Sequence, residues 1–304
     1  MAETSEHKFA QHTRERSSKT AVQAKYDRRS LTYSNTFANP VLRGVIAIME
    51  LLTGKLTILR WIRNFEKLGP PSADGFFRQV LDVMGIPLRT PQDQLNNIPK
   101  TGPVVVVANH PHGMVDGMVL ADLVGQVRSD YRVLTRSVLV DLDEAAAKYM
   151  IPVPFPHDPD ALAKGIEMRA AAMKHLSAGG VIAVFPSGVV ASSDTFFGPA
   201  VERDWNVFTA KLIQRSGATV VPVRFHGQNS RWYHIANKIS ATLRQGLLVH
   251  EIANQKNTPQ APTVGARLSA DECATWKGDP RGFMTYLRNL TMSLPSNVSD
   301  DAGV

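Results

Sequence analysis

One stretch of this sequence, from Val104 to Leu120, constrains the fold more than any other. It has the sequence VVVVANHPHGMVDGMVL, and its four consecutive β-branched valines predict a strand that is covered on both faces. A polar turn with two histidines, a proline and a glycine follows, and Asp116 comes just before the next apolar run. In α/β folds, ligands bind where strands end. The stretch therefore predicts a functional site at the end of a buried strand.

Beyond this stretch the chain alternates predicted strands with predicted helices. The strands are predicted at 104–108, 131–134, 181–185, 218–225 and 264–268, and the helices at 115–127, 139–149, 160–177, 205–215 and 281–292. This alternation indicates an α/β fold with a mixed, largely buried sheet flanked by helices. Pro222 predicts an edge or a bulge in its strand, because proline cannot donate a ladder hydrogen bond. Residues 254–263, which are rich in Asn, Gln and Pro, predict a surface loop.

Two segments precede this region, so we expect three parts: a disordered polar arm at 1–39, an amphipathic helical segment at 40–88 and the α/β domain at 89–304. The helical segment carries an apolar stripe opposite basic residues; the stripe is Ile58, Trp61, Ile62, Phe65 and Leu68, and the basic residues are Arg60, Arg63 and Lys67. Thr53-Gly54 predicts a break or hinge in this segment. A helical hairpin of this kind either lies on a membrane surface or packs on the core of the domain, and Trp61 with its flanking arginines favours the membrane.

Composition narrows the classes of protein to consider. The chain has 304 residues, a net charge of +7 and a single cysteine, Cys273. Its apolar fraction of 43% excludes wholesale disorder, and one cysteine excludes an intramolecular disulfide framework and fits a reducing compartment. The sequence has no run of about 18 uncharged apolar residues, so we expect no transmembrane span. We also expect no signal peptide, because its apolar core is missing. The positive charge points to an anionic partner, which leaves nucleic acid, an anionic membrane and phosphorylated substrates open.

The residues from Asn109 to Asp116 are the first candidate for chemistry. A histidine suits general-base catalysis near neutral pH, and a carboxylate on its far ring nitrogen fixes the tautomer and stabilises the imidazolium. His110 or His112 with Asp116 therefore predicts a catalytic pair. Two other interpretations stay open: Asp116 caps the next helix beside two turn histidines, or His110, His112 and Asp116 bind a metal ion.

Two further turns lie after predicted strands. Phe185-Pro186-Ser187-Gly188 predicts a tight turn whose backbone N–H groups bind an oxyanion or a phosphate. Ser187 is not predicted to be a nucleophile, because the Gly-x-Ser-x-Gly elbow needs glycine where this chain has Phe185. The third turn follows Val221-Pro222-Val223 and places Arg224 or His226 near the mouth of a site, although a purely structural strand edge explains these residues equally well.

Taken in order, these motifs resemble the glycerolipid acyltransferase superfamily, and most closely its bacterial hemolysin-like or ornithine-lipid branch. The matching features are NHP-x-G-x-x-D-G at Asn109 to Gly117, Thr135-Arg136, FPSG at Phe185 to Gly188, and VPVRFHG-x-N-S at Val221 to Ser230. The resemblance covers about residues 40–268. It implies that His110 and Asp116 are catalytic, and that the residues that bind substrate are Asn109, His112, Gly113, Arg136, Pro186, Ser187 and Gly188.

The chain departs from the superfamily pattern at two positions. Five residues separate His110 from Asp116, one more than usual, so the loop must bulge for the pair to meet. Counted from His112 the gap is three, which makes His112 an alternative base, although the Asn-His-Pro context favours His110. Ser187 stands where the common motif has a glutamate that is implicated in acceptor binding, so a lysolipid other than a glycerol phosphate is at least as consistent with the sequence.

The resemblance implies transfer of a fatty acyl group from acyl carrier protein or acyl-CoA to the hydroxyl of a lysolipid, either a lyso-ornithine lipid or a lysophospholipid. It implies no cofactor beyond the donor and no metal. The expected partners are the donor, a membrane lysolipid and an anionic membrane surface rather than nucleic acid, and the expected location is peripheral, on the cytoplasmic face of the bacterial inner membrane. The alternatives are a lipid hydrolase or thioesterase-type activity, and a non-enzymatic membrane-binding module with the same fold.

Overall fold

A computed structural model describes residues 39–69, 75–136, 144–154, 158 and 160–297. The helices are α1 (Pro40–Glu50), α2 (Leu56–Leu68), α3 (Phe76–Met84), α4 (Gln92–Leu95), α5 (Met114–Gly125), α6 (Glu144–Ala147), α7 (Ala161–Ser177), α8 (Val207–Ser216), α9 (Arg231–Ile239), α10 (Ala241–Asn254), α11 (Ala270–Ala274) and α12 (Pro280–Ser293). The strands are β1 (Val104–Ala108), β2 (Tyr131–Arg136), β3 (Met150–Val153), β4 (Val181–Val184), β5 (Ser192–Ser193), β6 (Ala200–Val201), β7 (Thr219–Arg224) and β8 (Thr263–Val264). The predicted arm, apart from Asn39, lies outside the described residues.

A six-stranded sheet forms the centre of the fold, in the order β3-β2-β4-β1-β7-β8. All neighbours pair in parallel except β8, which runs antiparallel to β7. β1 lies inside the sheet and is buried along its whole length, because its valines contact one apolar core on each face. The predicted mixed α/β sheet flanked by helices is therefore confirmed.

The prediction was wrong at β3. Residues 139–149 were expected to form a helix; in the part that the structure describes, the helix is the single turn α6, and it is followed by an unpredicted strand, β3. Pro152 breaks the run of apolar residues in this strand, so the sequence pattern did not predict it. A proline is tolerated there because β3 is the outermost strand of the sheet, where one side of the backbone needs no partner.

Pro222 does not lie in an edge strand, contrary to one of the two predictions, because β7 has β1 on one side and β8 on the other. Val220 donates its N–H to the carbonyl of Leu268, and residues two apart along a strand face the same neighbour. The missing N–H of Pro222 therefore faces the segment around β8. That segment still pairs with β7 at residues 223 and 224 and at the bridge between Val220 and Leu268, and the N–H of Gly265 donates to the carbonyl of Pro222. The ladder therefore loses little.

Helices α1 to α3 lie against the sheet domain. A π-helical turn, Leu51–Lys55, joins α1 to α2, and Gly54 within it leaves the helical conformation, at the predicted break. A Cβ on Gly54 would lie 2.8 Å from that of Ala253 in α10, so glycine permits this close crossing. Residues 70–74 lie outside the described residues, and the boundary predicted after residue 88 stays a prediction.

The apolar stripe of α2 faces the core at its two aromatic residues, whereas Leu68 at its end is exposed. Trp61 and Phe65 are each only 8% exposed, and they share one apolar cluster with Phe76 and Phe77 of α3 and with Val104 of β1. Trp61 therefore packs in the protein core, and its predicted place at a membrane interface was wrong. The exposed apolar side chains of this segment lie mainly along α1 and the turn after it; they include Val41, Val45, Ile48, Leu51 and Leu52. Within the described ranges, no helix combines the length and the apolar character needed to span a membrane.

Candidate active site

The predicted site residues converge at one edge of the sheet. Because β1, β2, β4 and β7 are parallel, their carboxyl ends meet at the same edge. The histidine turn follows β1, Arg136 ends β2, the Pro186-Ser187-Gly188 turn follows β4, and the segment that begins at Phe225 follows β7. These four segments belong to distant parts of the sequence, and the parallel topology brings them together.

Asn109 fixes the start of the turn. Its side-chain Nδ2 donates to the carbonyl oxygen of Phe225 at 2.9 Å, and the N–H of Phe225 donates to its Oδ1 at 2.7 Å. This buried amide therefore continues the ladder between β1 and β7 by one further pair of hydrogen bonds. Asn109 was predicted to bind substrate, but in this structure its side chain holds two strand ends in register.

Asp116 is the centre of the site and is completely buried. Its Oδ2 accepts hydrogen bonds from Nδ1 of His110 at 3.0 Å, from the N–H of His112 at 2.7 Å and from the N–H of Gly113 at 3.0 Å. Its Oδ1 lies 3.0 Å from Nδ1 of His112. One carboxylate thus orients both imidazoles. The bond from the N–H of Gly113, the N-cap residue, also caps the start of α5, so the catalytic and the capping interpretations of Asp116 describe one geometry.

The extra residue between His110 and Asp116 is accommodated at Gly113. This residue has a φ of +82°, a conformation that side chains other than glycine rarely adopt. A Cβ there would also lie 3.3 Å from Cγ2 of Val190. The loop turns back at Gly113, so that His110 still reaches Asp116 across the longer spacing, as predicted.

The electrostatics of the site favour an ionised Asp116. Burial alone would raise the pKa of its carboxyl, but the charge and hydrogen bonds of His112 and His110 outweigh burial and lower the pKa to about 2. Burial also tends to lower the pKa of His112. Asp116, with a smaller contribution from Glu251, reverses that effect and holds the pKa of His112 above its ordinary value of 6.5.

His110 has further partners on both sides. Its ring stacks on Phe185 with the centroids 4.0 Å apart. Its backbone N–H donates to Oε2 of Glu202 at 3.1 Å. The other carboxylate oxygen of Glu202 accepts from Nε1 of Trp205 at 2.9 Å. Glu202 was not predicted from the sequence, because it contacts His110 across 92 positions of sequence and no local motif surrounds it.

His112 is more enclosed than His110, with 5% of its side chain exposed against 16%. A Cβ added to Gly227 would lie 2.9 Å from Nε2 of His112, so this edge of the imidazole faces the Gly227 backbone. Both residues border a cavity of about 240 Å³ that is otherwise lined by His226, Gln228, Gln255, Thr258, Pro259, Gln260, Ala261 and Pro262. Gln255 and Gln260 are buried in the segment that was predicted to be a surface loop.

In the turn after β4, one of the backbone N–H groups that were predicted to bind an oxyanion is already paired within the turn. The N–H of Gly188 donates to the carbonyl of Phe185 at 2.9 Å, and the hydroxyl of Ser187 donates to the carbonyl of Val189 at 3.0 Å. The Pro186 carbonyl accepts from the N–H of Asn206. Arg136 does reach this turn, since its Nη2 donates to the Gly188 carbonyl at 3.0 Å. The predicted Arg136 and Gly188 are thus brought together, with the guanidinium supporting the turn.

The remaining candidates lie beside the site. Arg224 donates to the carbonyl of Leu294, and Nε2 of His226 lies 3.2 Å from Oγ1 of Thr263. As for a metal ion, both Nδ1 atoms of His110 and His112 point at the carboxylate of Asp116. Across the residues that the structure describes, no group of three or more His, Cys, Asp or Glu side chains is arranged to hold one.

Comparison with known proteins supplies a family. The model of the family described as Acyltransferase matches residues 55–252, well over half of the chain. Among solved structures, the chain is similar to the 1-acyl-sn-glycerophosphate (LPA) acyltransferase PlsC from Thermotoga maritima, with 14% identity, coverage of 83% of this chain and 89% of that chain, and a TM-score of 0.44. A search of curated protein sequences found no match.

Proposed function

The chain belongs to the acyltransferase family, and on this premise we propose that it transfers a fatty acyl group from acyl carrier protein or acyl-CoA to the hydroxyl of a lysolipid. The observation that carries the proposal is the contact between Nδ1 of His110 and the carboxylate of Asp116 at 3.0 Å. A histidine held in this way exposes its other ring nitrogen as a base, and the buried carboxylate stabilises the imidazolium that forms.

The proposed reaction proceeds without a covalent enzyme intermediate. Nε2 of His110 takes the proton from the acceptor hydroxyl while that oxygen attacks the thioester carbon of the donor. The new C–O bond forms, the C–S bond breaks, and the proton passes to the leaving thiolate. General-base catalysis of this kind contributes about 10²–10⁴-fold to the rate. The protein needs no cofactor for this chemistry beyond the acyl donor.

The surroundings of the two histidines favour His110 as the base. The side chain of His110 is the more exposed of the two. The Nε2 edge of His112 faces Gly227 so closely that an added methyl group would lie 2.9 Å away. His112 is therefore better suited to hold Asp116 in place than to receive a substrate hydroxyl.

We propose a lysolipid acceptor of the hemolysin-like or ornithine-lipid branch, such as a lyso-ornithine lipid, with a lysophospholipid as the other candidate. This rests on the five-residue spacing from His110 to Asp116 and on Ser187, which replaces the common glutamate. We place the protein peripherally at the cytoplasmic face of the bacterial inner membrane, where its donors are made. The exposed apolar residues of α1 and the net charge of +7 support contact with an anionic surface.

The test is incubation of the purified protein with labelled acyl carrier protein or acyl-CoA and a panel of lysolipids, followed by lipid mass spectrometry. His110→Ala should abolish transfer while the fold is retained. His175→Ala is the matched control, because His175 contacts the backbone of Asp130 at the opposite edge of the sheet. Transfer by the His110→Ala variant at the wild-type rate would refute the assignment. Release of free fatty acid without a lysolipid would instead identify a hydrolase.

A further inference from the structure

We propose that a second surface, formed by the β5–β6 ribbon and α9, binds an anionic lipid bilayer next to the catalytic turn. We name it the aromatic patch and define it as Phe196, Phe197, Trp232 and Ile239. These side chains are 51%, 77%, 69% and 63% exposed. The inference rests on the proposed function, because it concerns how the same site meets an acceptor that is dissolved in a membrane.

The ribbon presents its two phenylalanines on an ordered loop. β5 and β6 pair antiparallel, and residues 194–199 connect them. The hydroxyl of Ser193 donates to the carbonyl of Thr195 at 2.6 Å, and the N–H of Gly198 donates to Oγ1 of Thr195 at 2.8 Å. The loop is therefore held by its own hydrogen bonds, while its two aromatic rings project outside the core. Two adjacent exposed rings on an ordered loop are unusual unless a partner covers them.

Helix α9 extends this surface. Nη1 of Arg231 donates to the carbonyl of Phe197 at 3.1 Å and ties the start of the helix to the loop. Trp232 and Ile239 are two helical turns apart and lie on one face, whereas Tyr233 and Ala236 are buried beneath them. The exposed side chains of the patch thus lie on two elements that are joined by the hydrogen bond between Arg231 and Phe197.

The charges around the patch identify the partner. Arg231 and Lys238 are exposed on α9, and the helix contains no acidic residue. On the ribbon, the carboxylate of Asp194 is paired with Arg203 at 2.7 Å. An apolar face with aromatic rings and flanking cations suits the interface of an anionic bilayer, where rings sit at the headgroup level and cations contact lipid phosphates.

The ribbon is also bonded directly to the catalytic turn. The N–H of Ala191, just before β5, donates to the carbonyl of His110 at 2.8 Å. Glu202, just after β6, accepts the N–H of His110 at 3.1 Å. Both ends of the ribbon therefore hold the backbone of His110. A bilayer bound at the tip of the ribbon would present its lipid hydroxyls close to this base.

The test compares binding of the full chain to vesicles made of equal parts phosphatidylglycerol and phosphatidylcholine. The double variant Phe196→Ser/Phe197→Ser should bind about tenfold more weakly or worse, because two apolar rings are lost from the interface. Tyr286→Ser is the matched control, since Tyr286 is an exposed aromatic residue on α12, and it should leave binding unchanged. Far-UV circular dichroism and urea unfolding establish that each variant is folded.

A second measurement locates the contact. Brominated lipids in the same vesicles should quench the fluorescence of the wild type, and Trp232→Phe should remove most of this quenching while preserving binding. Of the three other tryptophans, Trp61 and Trp205 are buried, and Trp276 is half-buried and stacked on Phe283 and Tyr286. Wild-type binding by the double variant, or undiminished quenching in Trp232→Phe, would overturn the proposal. A third outcome would also overturn it: the wild type forms a dimer, and the double substitution dissociates the dimer without changing vesicle binding. The patch would then be covered by a second copy of the chain.

Activity separates this proposal from the proposed function. On an acceptor dispersed in detergent, the double variant should transfer acyl groups at the wild-type rate, and on an acceptor embedded in vesicles it should lose activity in proportion to binding. If the wild type shows no transfer to any acceptor, the proposed function fails while the vesicle data still decide the patch. Equal activity of both proteins on embedded acceptor would contradict the patch alone.

Discussion

Replacing Asp116 with asparagine preserves the shape of the side chain and removes the charge that holds the site together. Four N–H groups, from His110 Nδ1, His112 Nδ1 and the backbones of His112 and Gly113, point at the carboxylate. An amide oxygen can accept two of them, and the amide nitrogen then faces the others as a donor. We therefore expect Asp116→Asn to lose stability and activity together.

The size of the effect follows from the burial and the pKa of the carboxyl. A decrease from 3.8 to about 2 corresponds to roughly 2 kcal/mol of stabilisation, at about 1.4 kcal/mol for each pKa unit. Each buried N–H that loses its acceptor costs about a further 1–3 kcal/mol. With two N–H groups left without an acceptor, the expected loss is about 4–8 kcal/mol, at or above the range for breaking a buried ion pair. Acyl transfer should fall by about 10²–10⁴-fold, because His110 loses its orientation.

The pH dependence gives this prediction its sharpest test. Because the pKa of Asp116 is lowered by folding, its stabilisation is complete above about pH 4 and is lost as the pH falls toward 2. His112 has a raised pKa, so the part that it contributes is complete below about pH 6.5 and is lost as the pH rises through its folded-state pKa. Urea unfolding between about pH 3 and pH 8 should show the largest difference between wild type and Asp116→Asn near the middle of this range.

Asp122→Asn is the matched control in the same helix. Asp122 is also buried and is paired with Arg78 at 2.6 Å, but burial raises the pKa of its carboxyl. Its contribution is therefore complete below its ordinary pKa and declines as the pH rises, which is opposite to Asp116 on the acid side. A stability difference for Asp116→Asn that stays constant across the whole pH range would refute the ionic description of the site.

Two further predictions concern the neighbours of this centre, and a third concerns the buried thiol of Cys273. Gly227→Ala should reduce both stability and transfer, because Gly227 has a φ of +95° and the new Cβ would contact His112. The control is Gly217→Ala, which measures the backbone strain alone, since Gly217 has a φ of +62° and a Cβ there would have nothing within 4 Å. Equal losses in the two variants would exclude an effect of the contact with His112. Glu202→Gln should lower kcat about tenfold with the fold retained, because either the backbone N–H of His110 or Nε1 of Trp205 loses its acceptor. Trp205→Phe should lower kcat less. An unchanged kcat in Glu202→Gln would show that the carboxylate does not position His110. Burial raises the pKa of the Cys273 thiol to about 11, so Cys273 should react with a disulfide reagent at neutral pH only after unfolding in urea, whereas rapid labelling of the folded protein would show that this region opens.

Local sequence patterns predicted the parts of the fold whose causes are local. The valines of β1 and the apolar run of β4 are buried on both faces, and such strands can be recognised from composition alone. β3 could not, since Pro152 breaks its pattern and the strand is tolerated only through its place at the edge of the sheet. The prediction that Trp61 lies at a membrane interface was wrong for a related reason. An amphipathic helix has the same periodicity whether its apolar face contacts lipid or a protein core.

The candidate site divides in the same way. His110, His112 and Asp116 lie within seven residues, so sequence spacing sufficed to place them together. The backbone N–H groups of the turn at Gly188 were predicted to bind an oxyanion because the turn was recognised, but that the Gly188 N–H is paired with the Phe185 carbonyl could be found only in the structure. Glu202 and Glu251 reach the site from the ribbon and from α10, and nothing in their local sequence distinguishes them from surface carboxylates.

The longer spacing between His110 and Asp116 has a physical explanation, which concerns both the catalytic and the capping interpretation of Asp116. With one residue more than the common pattern, the chain needs a point where it can reverse, and Gly113 provides it with a positive φ. The reversal aims the N–H groups of His112 and Gly113 at Oδ2 of Asp116, which caps α5 and anchors the carboxylate. It also brings a second imidazole to Oδ1. The inserted residue therefore does not weaken the pair of His110 and Asp116, because the same loop supplies the donors that keep Asp116 ionised.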